Sequence, residues 1–83
     1  MLDLEKNLWL TDKCSRELAL LQKRAAEIDR NLAQELLSNI ETGIESTEAE
    51  RLRFEVAQVE QRTADLLIVL RELKKQRKWL RPG

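Results

Sequence analysis

Apolar residues recur along the chain at helical spacing in two long stretches, separated by one short interruption. In the first stretch they fall at Leu4, Leu8, Thr11, Cys14, Leu18, Leu21, Ala25, Ile28 and Leu32. With Leu18 at a and Leu21 at d, heptads run to Leu32, where Glu35 lands on d and Leu36 and Ile40 carry the stripe on, a local shift toward the interruption. This pattern predicts a helix over about 4–41, roughly 55 Å long. In the second stretch Leu52, Val56, Val59, Thr63, Leu66, Leu70, Leu73, Arg77 and Leu80 alternate at intervals of four and three without a fault. That spacing predicts a helix over about 48–81, packed along one seam against another helix. Nowhere does the strict alternation of a strand persist.

The interruption, residues 42–47, predicts a tight turn. Gly43 supplies the left-handed conformation that ends a helix, and Thr47 with Glu50 matches a T-x-x-E capping box that starts the next. So short a connection makes the two arms antiparallel. The expected fold is all-α, an antiparallel coiled-coil hairpin forming a single module over 1–83 that assembles into a helical bundle. A nearly continuous helix across Gly43 in an extended parallel dimer is the alternative. Folding about residues 43–46 would set Leu18 against Leu70 or Leu73, Ala25 against Thr63 or Leu66, and Leu32 against Val56 or Val59. The open end would gather Leu8, Trp9 and Leu10 near Trp79 and Leu80. It would also bring Asp3, Glu5 and Asp12 beside Arg77, Lys78 and Arg81. Pro82 forbids helix beyond Leu80 or Arg81.

One seam leaves large apolar residues over. Phe54 and Ile68 fall on f, away from the a/d edge, and form a second stripe with Ala57 and Ala64. The first arm has Trp9, Leu20 and Leu37 off its seam, and Ala19, Ala26 and Ala33 at b. Singly exposed hydrophobes are ordinary. A stripe of them implies a second buried face, through a homodimer of hairpins or a different helical protein.

Composition narrows the function classes. Of 83 residues, 15 are Lys or Arg and 15 Asp or Glu, so no overall field draws the chain to nucleic acid or to a membrane. The local exception is a basic patch of Arg71, Lys74, Lys75, Lys78 and Arg81 around Trp79. It reads either as favourable charge at a helix C-terminus or as a surface for an acidic partner or anionic lipid; without further aromatics, nucleic acid is the weakest reading. With no histidine and one cysteine, neither the usual zinc site nor an intrachain disulfide can form. Cys14 sits on a d position, where it reads as a small core residue. The carboxylates are spread along helix surfaces with no pocket implied, so catalysis and cofactors are not expected. A lone thiol, no signal peptide and no membrane-length apolar run lead to the expectation of a cytoplasmic chain.

The run Gly-Ile-Glu-Ser-Thr-Glu-Ala-Glu-Arg-Leu-Arg-Phe-Glu-Val from Gly43, followed by Leu70-Arg71-Glu72-Leu73-Lys74-Lys75, resembles the Ral-binding antiparallel coiled-coil hairpin of the Ral-interacting Rho GTPase-activating proteins. The resemblance covers about thirty residues and, with a one-residue shift, leaves Arg53 or Phe54 opposite the tryptophan of that family. It implies a small GTPase lying across Phe54 and its neighbours. The residues themselves lead to the expectation of a non-catalytic protein-interaction or oligomerisation module of a scaffold, adaptor, trafficking or cytoskeletal protein. A small-GTPase effector hairpin and a peripheral membrane element held by the basic C-terminal segment are the alternatives.

Overall fold

Asp3 starts the first helix by accepting the Lys6 backbone N–H on its side chain at 2.7 Å, while its own carbonyl accepts from the Asn7 N–H. The computed structural model describes residues 3–80; the expectations placed on Arg81 and Pro82 lie outside them. From that cap α1 runs over Leu4–Thr42, and α2 follows over Thr47–Arg77. The two pack lengthwise as an antiparallel hairpin measuring 65 × 15 × 14 Å.

Gly43 ends α1. At φ 71° and ψ 11° it is left-handed, and its N–H closes onto the Asn39 carbonyl at 2.8 Å. Nothing lies within 4 Å of where its Cβ would stand, so only the backbone conformation demands glycine here. The Thr42 hydroxyl secures the same corner, donating to the Ser38 carbonyl and accepting from the Ile44 N–H.

The start of α2 differs from the capping box read in the sequence. Ser46, not Thr47, is the N-cap, and no side chain caps the helix there. The Ser46 hydroxyl instead donates to Glu35 Oε1 of α1 at 2.5 Å, so tertiary contact claims the group that would have capped. Glu35 sits on the d position of the first helix, and this bond keeps it half-buried in the seam. The seam accordingly does not drift onto Ile40. Asn39 stays half-buried at the next a position and Ile40 is 79 % exposed, because a carboxylate with a partner can hold a core position that an unpaired one would vacate.

The register also differs from the expected pairing. Arg77 bonds to Asn7 and Thr11, Arg62 to Glu17, Arg24 to Glu55 and Ser46 to Glu35. With seam positions facing one another, the register nearest to these bonds and to the contacts lining the hairpin's groove sets Leu18 against Leu66, Ala25 against Val59 and Leu32 against Leu52, about one helical turn from the expected partners. The cause lies in the turn. Extended residues cover about 3.3 Å each against 1.5 Å in a helix. Ser46 therefore lies alongside Glu35, two turns back from the end of α1, before α2 has begun.

Ile28 of α1 and Ala49, Leu52, Leu66 and Leu73 of α2 are the buried apolar core. Leu18, Leu21, Leu32 and Leu36 of α1, with Val56, Val59 and Leu70 of α2, flank them half-buried on the same seam. Helix α2 stops at Arg77, short of the expected 81. Trp79 and Leu80 donate to carbonyls three residues back, a tightened final turn rather than continued α-helix. Replacing Gly43 by alanine should destabilise the hairpin by about 1 kcal/mol through its positive φ alone. Urea unfolding measures this; an unchanged midpoint would show that the turn tolerates another conformation.

Candidate interaction surfaces

At the open end of the hairpin a polar cluster closes the seam. Asn7 is fully buried and donates through Nδ2 to the Leu73 carbonyl at 2.9 Å. Arg77 donates to Asn7 Oδ1 at 3.2 Å and to the Thr11 hydroxyl at 2.8 Å, and that hydroxyl donates to the Asn7 carbonyl. The expectation that Leu8 lines the seam fails here: Leu8 is exposed and Asn7 takes the position. Counting back from Leu18 at a places Asn7 on d, so the heptad held the signal and apolarity misled. Arg77, a polar residue on a seam position, is turned inward and bonded. It makes no ion pair with Asp3, Glu5 or Asp12. Those acids act locally instead, Asp3 as a cap and Asp12 toward Arg16 at 3.0 Å.

The two sides of the hairpin differ in chemistry. One side, built from the g and c positions, is tied by charge. Arg62 reaches Glu17 at 2.8 Å and Arg24 reaches Glu55 at 3.2 Å, both across the seam. Arg51 bridges Glu48 and Glu55, and Arg24 also approaches Glu27. Of the six ion pairs among the described residues, only Asp12 with Arg16 lies elsewhere. The hydrogen bond from Arg62 holds the Glu17 carboxyl below its ordinary range. Partial burial opposes the shift, and the charges of Arg62 and Lys13 add to it. Glu48 is lowered likewise by its bond from Arg51, and Arg51 and Arg62 are raised by the same contacts.

The other side, built from the e and b positions, carries no cross-helix ion pair among the described residues. Its centre is an open groove of about 310 Å³ lined by Gln22, Ala25, Val59, Glu60, Thr63, Ala64 and Leu67. Small side chains at Ala25 and Ala64 leave the seam uncovered there. Leu67 stands exposed at its margin. The alanines at 19, 26, 33 and 57 flatten the same side along its length, all of them exposed. Nearer the turn a second hollow is lined by Leu36, Asn39, Ile40, Ala49 and Arg53 among others.

The face read as partner-binding is exposed throughout. Phe54 and Ile68, 64 % and 61 % exposed, project from the back of α2, and Ala57 and Ala64 border the groove side. Trp9 and Leu37 project from the back of α1, Trp9 beneath the Lys13 ammonium at 5.1 Å from its ring centre. The structure therefore splits that face in two, with Phe54, Ile68, Trp9 and Leu37 outward and the alanines beside the groove. In the basic patch Arg71, Lys74, Lys75 and Lys78 are exposed, Trp79 is 86 % exposed, and Arg81 lies outside the described residues. Sequence reasoning missed Leu67 and Gln22 as lining residues, although both occupy e positions. Among the described residues no group of His, Cys, Asp or Glu is placed to hold a metal ion, and no helix is long and apolar enough to cross a membrane.

Comparison with protein-family models, with known proteins and with solved structures finds no match to this chain.

Replacing Asn7 by alanine should destabilise the hairpin by about 1–3 kcal/mol, because the buried Leu73 carbonyl and Arg77 both lose a partner. Asn7→Leu should fail to recover that stability, since leucine restores the bulk but leaves the Leu73 carbonyl and Arg77 equally without a partner. Thermal unfolding of both variants distinguishes this network from mere side-chain size. Glu17 has a lowered folded value, so its contribution is complete above the ordinary 4.5 and is lost as pH falls from there through the folded value. Glu17→Gln should therefore remove part of the acid-side slope of the melting temperature and leave the slope above pH 6 unchanged.

Proposed function

We propose that the chain is a non-catalytic assembly module: a helical hairpin that associates with another helical surface through its groove side, in a scaffold, adaptor, trafficking or cytoskeletal role. The supporting observation is the division between its two sides. A hairpin evolved to stand alone in water gains nothing by gathering its cross-helix ion pairs on one side and leaving an uncovered groove between small side chains at the centre of the other. Eleven large apolar side chains are exposed among the described residues, many for so small a fold. Among the described residues the buried apolar core of the monomer is five side chains, less than a domain of this size ordinarily needs. Docking a helix against Ala57, Ala64 and Leu67 brings backbones close and covers the open seam at Val59 and Thr63. Leu67 is 48 % exposed, so covering it contributes about half of the ~1.5–3 kcal/mol of a fully buried leucine.

The reading treats the basic patch around Trp79 as solvated charge favourable to a helix C-terminus, with Lys74, Lys75 and Arg77 in the last turn of α2. Sedimentation equilibrium tests the proposal. The chain should sediment above its 9.7 kDa monomer mass at tens of micromolar, or do so when mixed with its partner. Ala64→Glu with Leu67→Glu should lower the assembled mass while helicity by circular dichroism persists. A wild-type mass unaffected by both charges would remove the groove side from the proposal.

A further inference from the structure

We propose that the occupant of the groove side is a second copy of this chain, lying beside the first with its turn at the same end. This inference rests on the assembly reading above and adds the partner's identity and direction.

The first support is area. The hairpin presents a side 65 Å long and about 15 Å wide. Covering it face to face removes roughly 1,000 Å² from each copy, above the ~800 Å² per partner of a standard stable interface. A twofold axis parallel to the long dimension places α1 of each copy against α2 of the other. Each helix then has two antiparallel neighbours, the arrangement of a four-helix bundle. Leu67 of each copy stands level with the groove of the other, where Ala25 and Ala64 leave room for a knob of its size.

The second support is charge, and it decides direction. Asn7 is level with Arg77 in the hairpin, so Glu5 is level with Lys78, Asp12 with Arg71 and Asp29 with Arg53, each within two residues. All six lie at the e and b positions of the groove side, are exposed, and form none of these pairs within the chain. Apposing α1 to the partner's α2 with turns together sets three acids beside three bases, and the alanines of both copies meet between them. The opposed arrangement, pivoting on the groove, instead stacks α1 on α1 and α2 on α2; it joins Glu50 to Lys74 but sets Arg53 beside Arg71 and the apolar Ile40 beside Glu5. Like charges across an interface suppress that alternative while opposite charges set orientation. The basic end of α2, solvated in the single hairpin, then has the acidic start of the second copy's α1 as its target.

Spin labels report the direction. In a Cys14→Ala background, a label at Glu41→Cys lies near the turn and off the groove side. Two labels in a dimer should be about 25–35 Å apart with turns together, and about 55 Å apart if the copies oppose. The longer distance in a dimer overturns this inference and leaves the assembly reading standing. A chain that remains monomeric at high micromolar concentration overturns the second-copy assignment, and capture of a different helical protein by that monomer would still support the assembly reading. Charge reversal supplies an independent arm. Asp12→Arg with Asp29→Arg should raise the dimer Kd at least about tenfold, and adding Arg71→Asp with Arg53→Asp should restore it. A Kd indifferent to both sets of changes overturns the pairing.

Discussion

The corner at Gly43 governs the geometry of the whole chain. A single left-handed residue ends α1, and the short connection after it, extended at Ser46, carries the chain back along the helix it has just left. Because extended backbone travels about twice as far per residue as helix, α2 begins two turns down α1 with its phase already set. Every later cross-helix contact inherits that offset. Leu52, Leu66 and Leu73 turn inward and Phe54 and Ile68 outward as consequences of where the second helix starts.

Polar contacts bracket the apolar seam at both ends. Near the turn Ser46 engages Glu35, and at the open end Asn7 engages Leu73 and Arg77. Neither contact is a source of large net stability, since each removes polar groups from water before bonding them. Their effect is on alternatives. A shift of α2 by one turn would leave Asn7, Arg77 and Glu35 buried or half-buried without partners, a heavier loss than any gained by sliding apolar residues past one another.

The two sides of the hairpin follow from the same register. Once Leu18 faces Leu66, Glu17 comes to Arg62 and Arg24 to Glu55 on one side, while on the other Gln22, Ala25, Ala64 and Leu67 surround an unfilled groove. The ion pairs are exposed and individually weak, but they shield their side of the seam with long side chains. No such cover exists over the groove.

Much of this was legible in the one-dimensional pattern. Two periodic stripes and a lone internal glycine determine a pair of antiparallel helices, because helical periodicity and left-handed backbone are local properties that need no partner to express. The seam residues from Leu18 to Leu32 and from Leu52 to Leu73 follow from the same count. Other features required the tertiary structure. Asn7 and Glu35 hold core positions because groups far away in sequence bond to them, and apolarity alone pointed to Leu8 and Ile40. Pairing across the seam depended on the path of the short connection between Gly43 and Thr47, which no periodicity encodes. The separation of a side tied by cross-helix ion pairs from one without them arises only when two helices are set in register. A sequence fixes which residues share a face of one helix; packing decides which faces of two helices become a single surface.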